Sequence, residues 1–207
     1  MKANEIKIAF IKWLLNKYPK SIIGNEVLFS VNQYRADILQ ILSNKTYAFE
    51  IKSDSDNVEG INEQLHNYMT TFDYTNLVFT EKYSIERIKT LDDRIGLYLI
   101  TNNKKVKKIR SPKISKELDK RNLLAIFPKT ELIKLLNKKN LSKLSAYELR
   151  EKALKISKKT IKEKALDIFK TRYSKLLELF MLDTDGNIIT EDDLTSLTGN
   201  VLTNKIQ

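Results

Sequence analysis

Two carboxylates and a lysine stand out because each interrupts an apolar, strand-like segment. Asp37 lies within the segment 34–42, and Glu50 and Lys52 lie two positions apart within the segment 46–53. A charged group in a core-facing strand is costly unless it is paired or binds a metal. Two carboxylates suit a hard cation such as Mg²⁺ or Mn²⁺. A neighbouring lysine can orient or deprotonate a water on that ion, or offset charge in the transition state. The three residues therefore predict metal-assisted phosphodiester hydrolysis.

This prediction depends on the register of a β-hairpin. Side chains alternate along a strand, so Glu50 and Lys52 project from the same side. A turn at Asn44-Lys45 places Asp37 opposite Lys52, so all three functional groups share one face. A register change of one residue moves Asp37 to the other face. The alternative interpretation is a solvated sheet face that carries an Asp37–Lys52 salt bridge.

The apolar pattern around the hairpin predicts the elements that position these residues. Ile6, Phe10 and Leu14 recur at helical spacing, and a strand follows over residues 26–33. After the hairpin, residues 58–72 return to a helical pattern, and residues 76–80 and 96–101 are short apolar runs. The resulting order, αβββαβαβ, predicts an α/β fold in which a mixed central sheet is flanked by helices.

Composition excludes several classes of protein. The 207-residue chain has no cysteine, so disulfides, thiolate zinc sites and cysteine nucleophiles are excluded, and a single histidine excludes histidine metal clusters. The first twenty residues carry a lysine every few positions, which is unlike a signal peptide or a membrane span. We expect a soluble cytoplasmic protein with no membrane association.

Charge is distributed unevenly along the chain. Residues 1–103 hold 12 basic and 13 acidic residues, whereas residues 104–207 hold 25 basic and 13 acidic residues. A near-neutral half joined to a strongly basic half is typical of a protein that binds a polyanion. Solvated lysine-rich helices are the alternative. The stretch 104–121 is interpreted as a basic loop or arm, and residues 122–127 as a last strand or a buried connector.

The residues of the hairpin also resemble a known family. Asp37, followed thirteen residues later by Glu50-Ile51-Lys52, resembles the D…(D/E)-X-K signature of the PD-(D/E)XK nuclease superfamily, with Ala36 in place of the proline. More narrowly, RADIL…FEIKSDSD…FD resembles the sce-locus family of small bacterial and phage proteins assigned to that superfamily. The resemblance is strongest over residues 24–80. It implies a restriction-endonuclease-like core over residues 1–127 and, after it, a helical basic C-terminal subdomain with a polar tail over residues 128–207.

The resemblance also implies roles for individual residues. Asp37 and Glu50 would bind Mg²⁺ or Mn²⁺ together with the main-chain carbonyl of Ile51. Lys52 would be the catalytic lysine. These are the roles of the matching positions in the family's motif.

Further positions match less specific elements of the superfamily. Glu26 matches an extra acidic residue that many members use as a metal ligand, and Glu5 is the alternative for that role. Gln64 and Tyr68 match the QxxxY element of nucleases that act on DNA ends or single strands. Four residues make about one helical turn, so both side chains can point toward the metal.

The sequence thus predicts a Mg²⁺-dependent deoxyribonuclease whose basic residues after Lys104 neutralise the phosphates of nucleic acid, with DNA as the expected substrate. The alternative is a catalytically inactive nuclease-fold module, of phage or mobile-element origin, that binds nucleic acid or another protein. The choice between DNA and RNA, the type of strand, endo or exo action, sequence preference, oligomeric state and biological pathway are left open.

Overall fold

The computed structural model describes residues 1–57, 59–184 and 188–199, so the end of the predicted polar tail lies outside the described residues. The elements in chain order are α1 (Ala3–Lys17), β1 (Ile22–Phe29), β2 (Tyr34–Leu42), β3 (Lys45–Lys52), α2 (Ile61–Met69), β4 (Tyr74–Thr80), α3 (Ile85–Lys89), β5 (Gly96–Ile100), β6 (Val106–Arg110), α4 (Lys120–Ala125), α5 (Lys129–Leu136), α6 (Ala146–Ala153), α7 (Lys158–Asp183) and α8 (Asp193–Ser196).

In the described part of the chain, six strands form one sheet in the order β1-β2-β3-β4-β5-β6. The pairs β1–β2, β2–β3 and β5–β6 are antiparallel, and the pairs β3–β4 and β4–β5 are parallel. Helices connect the parallel strands and cover the sheet. The predicted α/β class, with a mixed sheet flanked by helices, is confirmed, and so is the predicted order of elements as far as β5.

The turn between β2 and β3 differs from the predicted one. Leu42 pairs with Lys45, which leaves Ser43 and Asn44 as a two-residue turn. Both turn residues have positive φ, 50° and 61°. Two successive left-handed residues form the type I′ turn that matches the twist of a hairpin. The predicted turn at Asn44-Lys45 is therefore wrong by one position.

The corrected turn changes which residues lie opposite each other. The last β2–β3 pair is Ile38 with Phe49. One position further along, Asp37 is level with Glu50 and not with Lys52, so the predicted pairing was wrong by two residues. A shift of two residues preserves the face on which each side chain lies. The prediction that Asp37, Glu50 and Lys52 share one face is therefore unaffected by the wrong turn position.

The basic stretch is more ordered than an arm. Residues 106–110 form β6, which pairs with β5 at the edge of the sheet and exposes Lys107 and Lys108. Lysines on an edge strand discourage pairing with other chains. Residues 122–127 form no strand. They belong to helix α4 and the residues after it, and Leu123 and Leu124 are buried.

The C-terminal helices pack directly on the sheet. Phe169, Tyr173 and Leu176 of α7 belong to one hydrophobic cluster with Val27 of β1 and Leu39 of β2. The predicted boundary near residue 127 stays a prediction, but the helices beyond it share a hydrophobic core with the sheet.

Helix α1 covers another part of the sheet. Ile6, Phe10 and Leu14 are buried, as their spacing predicted. The Phe10 ring lies edge-on to Phe49 and to Tyr98, with centroid distances of 4.9 and 5.3 Å. These contacts hold α1 beside β3. Within the ranges that the structure describes, no helix combines the length and the apolar character needed to cross a membrane.

Candidate active site

The candidate site lies where β2 and β3 separate. Their ladder ends at Ile38 and Phe49, while β2 continues along β1 and β3 continues along β4 as far as Lys52. Beyond the last pair, Asp37 lies on one strand and Glu50 on the other. The diverging strands therefore place two carboxylates beside a gap in the sheet.

Asp37 is held by contacts on both oxygens. The main-chain N–H of Ile51 donates to Oδ2 at 2.8 Å, and the ammonium of Lys7 lies 3.0 Å from Oδ1. Burial raises the pKa of the Asp37 carboxyl to about 6, and the negative charge of Glu50 acts in the same direction, while Lys7 and the Ile51 N–H oppose the shift. Glu50 thus lies close enough to Asp37 for its negative charge to disfavour ionisation of the Asp37 carboxyl.

Glu50 is buried, and each of its oxygens has a partner. Lys52 Nζ lies 2.9 Å from Oε1, and the Tyr68 hydroxyl donates to Oε2 at 2.6 Å. Burial raises the pKa of Tyr68 well above its usual value, and the charges of Glu50 and Asp37 add to the shift. Tyr68 therefore remains a neutral hydrogen-bond donor at physiological pH, and it fixes the orientation of the Glu50 carboxylate.

Lys52 lies between β3 and α2. Its ammonium is 2.9 Å from Glu50 Oε1 and donates to Gln64 Oε1 at 2.8 Å. Gln64 and Tyr68 lie one turn apart on α2, so they reach two neighbouring side chains of β3. The structure thus brings Gln64 and Tyr68 together with Glu50 and Lys52, while the catalytic role of Gln64 stays a prediction. The alternative interpretation predicted a salt bridge between Asp37 and Lys52. In the structure Asp37 pairs with Lys7, and Lys52 pairs with Glu50.

Glu26 lies level with Asp37 on β1 and departs from strand geometry. Its φ is +50°, in the left-handed region, although its neighbours pair with β2. The carboxylate pairs with the ammonium of Lys7, and Arg35 Nη1 lies 4.0 Å away. Glu26 is therefore near the site, where it shares the Lys7 ammonium with Asp37.

Lys7 is the site residue that the sequence-based prediction missed. It is buried, and it contacts both Asp37 and Glu26. Burial favours its neutral form, but the neighbouring charges of Asp37 and Glu26 outweigh burial and raise its pKa. The sequence contains one indication that Lys7 is buried, because Lys7 follows Ile6, which lies on the apolar face of α1.

Glu5, the alternative to Glu26, has other partners. Its Oε2 accepts from the main-chain N–H of Lys2 at 2.9 Å, and its Oε1 lies 3.4 Å from Lys104 Nζ. This carboxylate caps the first turn of α1 and pairs with the β5–β6 connection. The structure gives it no contact with the site residues described above.

The donor set fits one hard divalent cation. Asp37 and Glu50 supply carboxylate oxygens, and each of these carboxylates also contacts a lysine ammonium, that of Lys7 and that of Lys52 respectively. Within the described ranges, no three His, Cys, Asp or Glu side chains form a metal-binding group. Mg²⁺ is often bound through one or two carboxylates and keeps several waters. The contribution of the Ile51 carbonyl stays a prediction.

Comparison with known proteins assigns the chain to a family. A family model described as "Bacteriophage P4 protein cII" matches residues 1–198, and the chain belongs to this family. Protein cII of Enterobacteria phage P4 is 30% identical over 195 residues, which cover 90% of this chain and 74% of the relative. Among solved structures, the SPO1766 protein of unknown function from Silicibacter pomeroyi matches with a TM-score of 0.45 and 12% identity, over 59% of this chain and 80% of that one.

Proposed function

We propose that the protein is a metal-dependent nuclease that hydrolyses DNA phosphodiester bonds, and that it is a divergent member of the PD-(D/E)XK superfamily. One observation carries the proposal: the Lys52 ammonium contacts Glu50 and Gln64 beside Asp37, where β2 and β3 separate. A buried lysine between a carboxylate and an amide is suited to act on a water or a phosphate at that gap.

Asp37 and Glu50 would hold Mg²⁺ or Mn²⁺. When bound, such an ion polarises a phosphoryl oxygen and lowers the pKa of its water. The protein's own contribution is to keep the two carboxylates in place. Tyr68 holds Glu50 through Oε2, and the Ile51 N–H holds Asp37 through Oδ2.

Lys52 would orient the attacking water or offset the charge that develops on the phosphate. Its ammonium is restrained on two sides, by Glu50 and by Gln64, so little reorganisation is required during the reaction. Gln64 is a positioning residue in this scheme because it acts through Lys52.

DNA is the proposed substrate because the second half of the chain is strongly basic. Residues 104–207 carry twelve more basic than acidic residues, and Lys107 and Lys108 are exposed on β6. Lysine and arginine side chains bind the phosphates of nucleic acid and release counterions.

A second candidate, nucleic-acid binding without cleavage, is favoured by the position of Lys7. Its ammonium already occupies a place between Asp37 and Glu26, where it supplies positive charge without a metal. A nuclease fold that only binds nucleic acid or a protein partner needs no metal, so it would tolerate a lysine ammonium beside Asp37. Membership of the phage P4 cII family supports a phage or mobile-element origin for either function.

The decisive experiment combines cleavage and binding assays on purified protein. Supercoiled plasmid and labelled single strands are incubated with Mg²⁺, Mn²⁺ or EDTA, using wild type, Lys52→Ala and the control Lys20→Ala, which removes an exposed lysine. We expect metal-dependent cleavage that Lys52→Ala abolishes and Lys20→Ala preserves, with DNA binding retained in both variants.

Two other results would contradict this proposal. DNA binding without cleavage under every metal condition would favour the binding module. Loss of DNA binding on purification, with a protein complex retained, would favour the protein-interaction module.

A further inference from the structure

A concave groove lies between the β1–β2 turn and the C-terminal helices. Its volume is about 560 Å³, which is within the usual range of ligand sites. Phe29 and Phe127 are buried apolar residues of its lining, and Leu154 and Pro128 also line it. We call this feature the arginine groove, after the residues described next.

Among the described residues, three arginines line the groove together with a single acidic residue, Glu151. Arg150 is fixed, because its guanidinium donates to the carbonyls of Leu124 and Phe127 at 3.2 and 3.4 Å. Arg121 forms an exposed ion pair with Glu151. Exposed ion pairs contribute little stability, so a phosphate can compete with Glu151 for Arg121. Arg172 is the third arginine.

Two exposed side chains border this charged lining. Tyr147 is 69% exposed and Val31 is 55% exposed, and both line the groove. An exposed tyrosine offers a flat surface on which an unpaired base can stack. The groove thus combines arginine donors for phosphates with apolar and aromatic surface for bases.

The arginine groove is connected to the candidate active site through one aromatic contact. Phe29, which lines the groove, lies edge-on to the Tyr68 ring at a centroid distance of 5.0 Å. The Tyr68 hydroxyl donates to Glu50. Phe29 and Tyr68 are both buried, so this contact links the wall of the groove to the residue that holds Glu50 through the protein interior.

Positive charge also extends away from the groove in another direction. Arg172 and Pro128 line a second cavity of about 530 Å³, which Lys134, Lys164 and Lys175 also line. Glu131 and Asp167 belong to the same lining and pair with Lys134 and Lys164. The two cavities share part of their lining, and the basic residues of the second one outnumber its acidic residues. A chain of phosphates longer than one nucleotide could follow this path.

We propose that the arginine groove binds the nucleic-acid substrate as a single strand. This inference rests on the proposed function, because it names the form of the substrate for the same site. An unpaired strand can place its bases against Tyr147 and its phosphates against the arginines. Paired bases in a duplex are stacked on each other and cannot stack on the groove in this way.

The test measures binding without catalysis. Fluorescence anisotropy in EDTA compares a labelled oligothymidylate with a duplex of the same length, for wild type, Tyr147→Ala and Arg172→Gln. We expect Tyr147→Ala to weaken single-strand binding about tenfold, as for loss of one base-stacking contact. Arg172→Gln should weaken it through loss of one phosphate contact. Arg172→Gln should also reduce the slope of log affinity against log salt by about 0.7. Duplex binding should change less than twofold.

Lys20→Ala and Leu182→Ala are the matched controls, because they remove an exposed charge and an exposed apolar side chain elsewhere. Circular dichroism checks that every variant is folded. The inference would be overturned if both groove variants bound single strands as tightly as wild type does. It would also be overturned if the variants lost affinity for duplex and for single strands to the same extent. The binding test runs in EDTA and therefore does not depend on cleavage. A protein that binds single strands through the groove but cuts no DNA when metal is added would refute the nuclease proposal and leave the groove inference intact.

Discussion

The ammonium of Lys7 lies 3.0 Å from Asp37 Oδ1 and also contacts the carboxylate of Glu26. Lys7 comes from α1, whereas the two carboxylates come from adjacent strands, so one cation joins three elements at the edge of the candidate site. Removing one partner of a buried ion pair leaves an uncompensated charge and is strongly destabilising. The position of Lys7 should therefore control both stability and metal binding.

We expect Lys7→Met to lower the stability of the metal-free protein by about 3 kcal/mol, because Asp37 and Glu26 lose their shared partner. For a chain of this size the Tm should fall by roughly 6 to 12 °C. Addition of Mn²⁺ should raise the Tm of the variant more than that of wild type, since the ion replaces the missing charge. Differential scanning fluorimetry with and without Mn²⁺ measures both effects.

Lys20→Met is the control for this substitution because Lys20 is exposed. It should alter neither the Tm nor the response to Mn²⁺. If Mn²⁺ shifts the Tm of Lys7→Met and of wild type equally, Lys7 does not compete with a metal at this site.

The contact between Gln64 and Lys52 leads to a second prediction. Gln64→Ala removes one of the two groups that restrain the Lys52 ammonium, while the bond from Lys52 to Glu50 remains. A misplaced catalytic group slows a reaction sharply, so we expect single-turnover cleavage to slow roughly ten- to hundredfold. The Tm and DNA affinity should stay near wild type, because Gln64 is exposed.

Asn62→Ala is the matched control, since it removes another exposed amide from the same helix. Its cleavage rate should equal that of wild type. Equal rates for Gln64→Ala and wild type would remove Gln64 from the proposed mechanism.

Asp37 leads to a prediction about pH. Folding raises the pKa of its carboxyl from an ordinary value of 3.8 to about 6, first through burial and then through Glu50. A carboxyl with a raised pKa in the folded state loses stability as pH rises from the unfolded pKa to the folded pKa. Asp37→Asn removes this loss, because asparagine stays neutral.

The stability of metal-free Asp37→Asn relative to wild type should therefore rise by about 1 to 3 kcal/mol as pH increases from about 4 to above 6. Asparagine also gives up the ion pair with Lys7, so the prediction concerns this change with pH and not the absolute stability of the variant. The variant should also lose the stabilisation by Mn²⁺. Urea unfolding at a series of pH values in EDTA measures the first effect. A constant difference in stability across the series would contradict the assigned cause.

Much of this architecture was predictable from local patterns. Ile6, Phe10 and Leu14 recur at helical spacing, and the apolar runs of β2 to β5 are long enough to identify strands. The association of Gln64 and Tyr68 with the hairpin was implied by the resemblance to the QxxxY element, and their spacing of about one helical turn allows both side chains to reach β3. These features depend on spacing along the chain, which the sequence contains directly.

The errors came from features that depend on three-dimensional context. The turn at Ser43 and Asn44 requires two left-handed residues, and neither residue is a glycine that would have indicated it. Lys7 was overlooked because a lysine on an amphipathic helix is usually solvated, and its burial depends on two carboxylates from other strands. The strand β6 was missed because Lys107 and Lys108 interrupt its only apolar residues, Val106 and Ile109.

The packing of α7 against the sheet leads to the last prediction. A Cβ atom at Gly24 would lie 2.6 Å from the Tyr173 ring, closer than van der Waals contact allows. We expect Gly24→Ala to destabilise the protein by about 1 to 3 kcal/mol, because the ring or the helix must move. Tyr173→Leu in the same chain should recover part of this loss, since the smaller side chain makes room for the added methyl group. Chemical unfolding of both single variants and the double variant measures the coupling. If the two effects simply add, α7 does not press on β1 at this point, and the C-terminal helices are less closely joined to the sheet than described above.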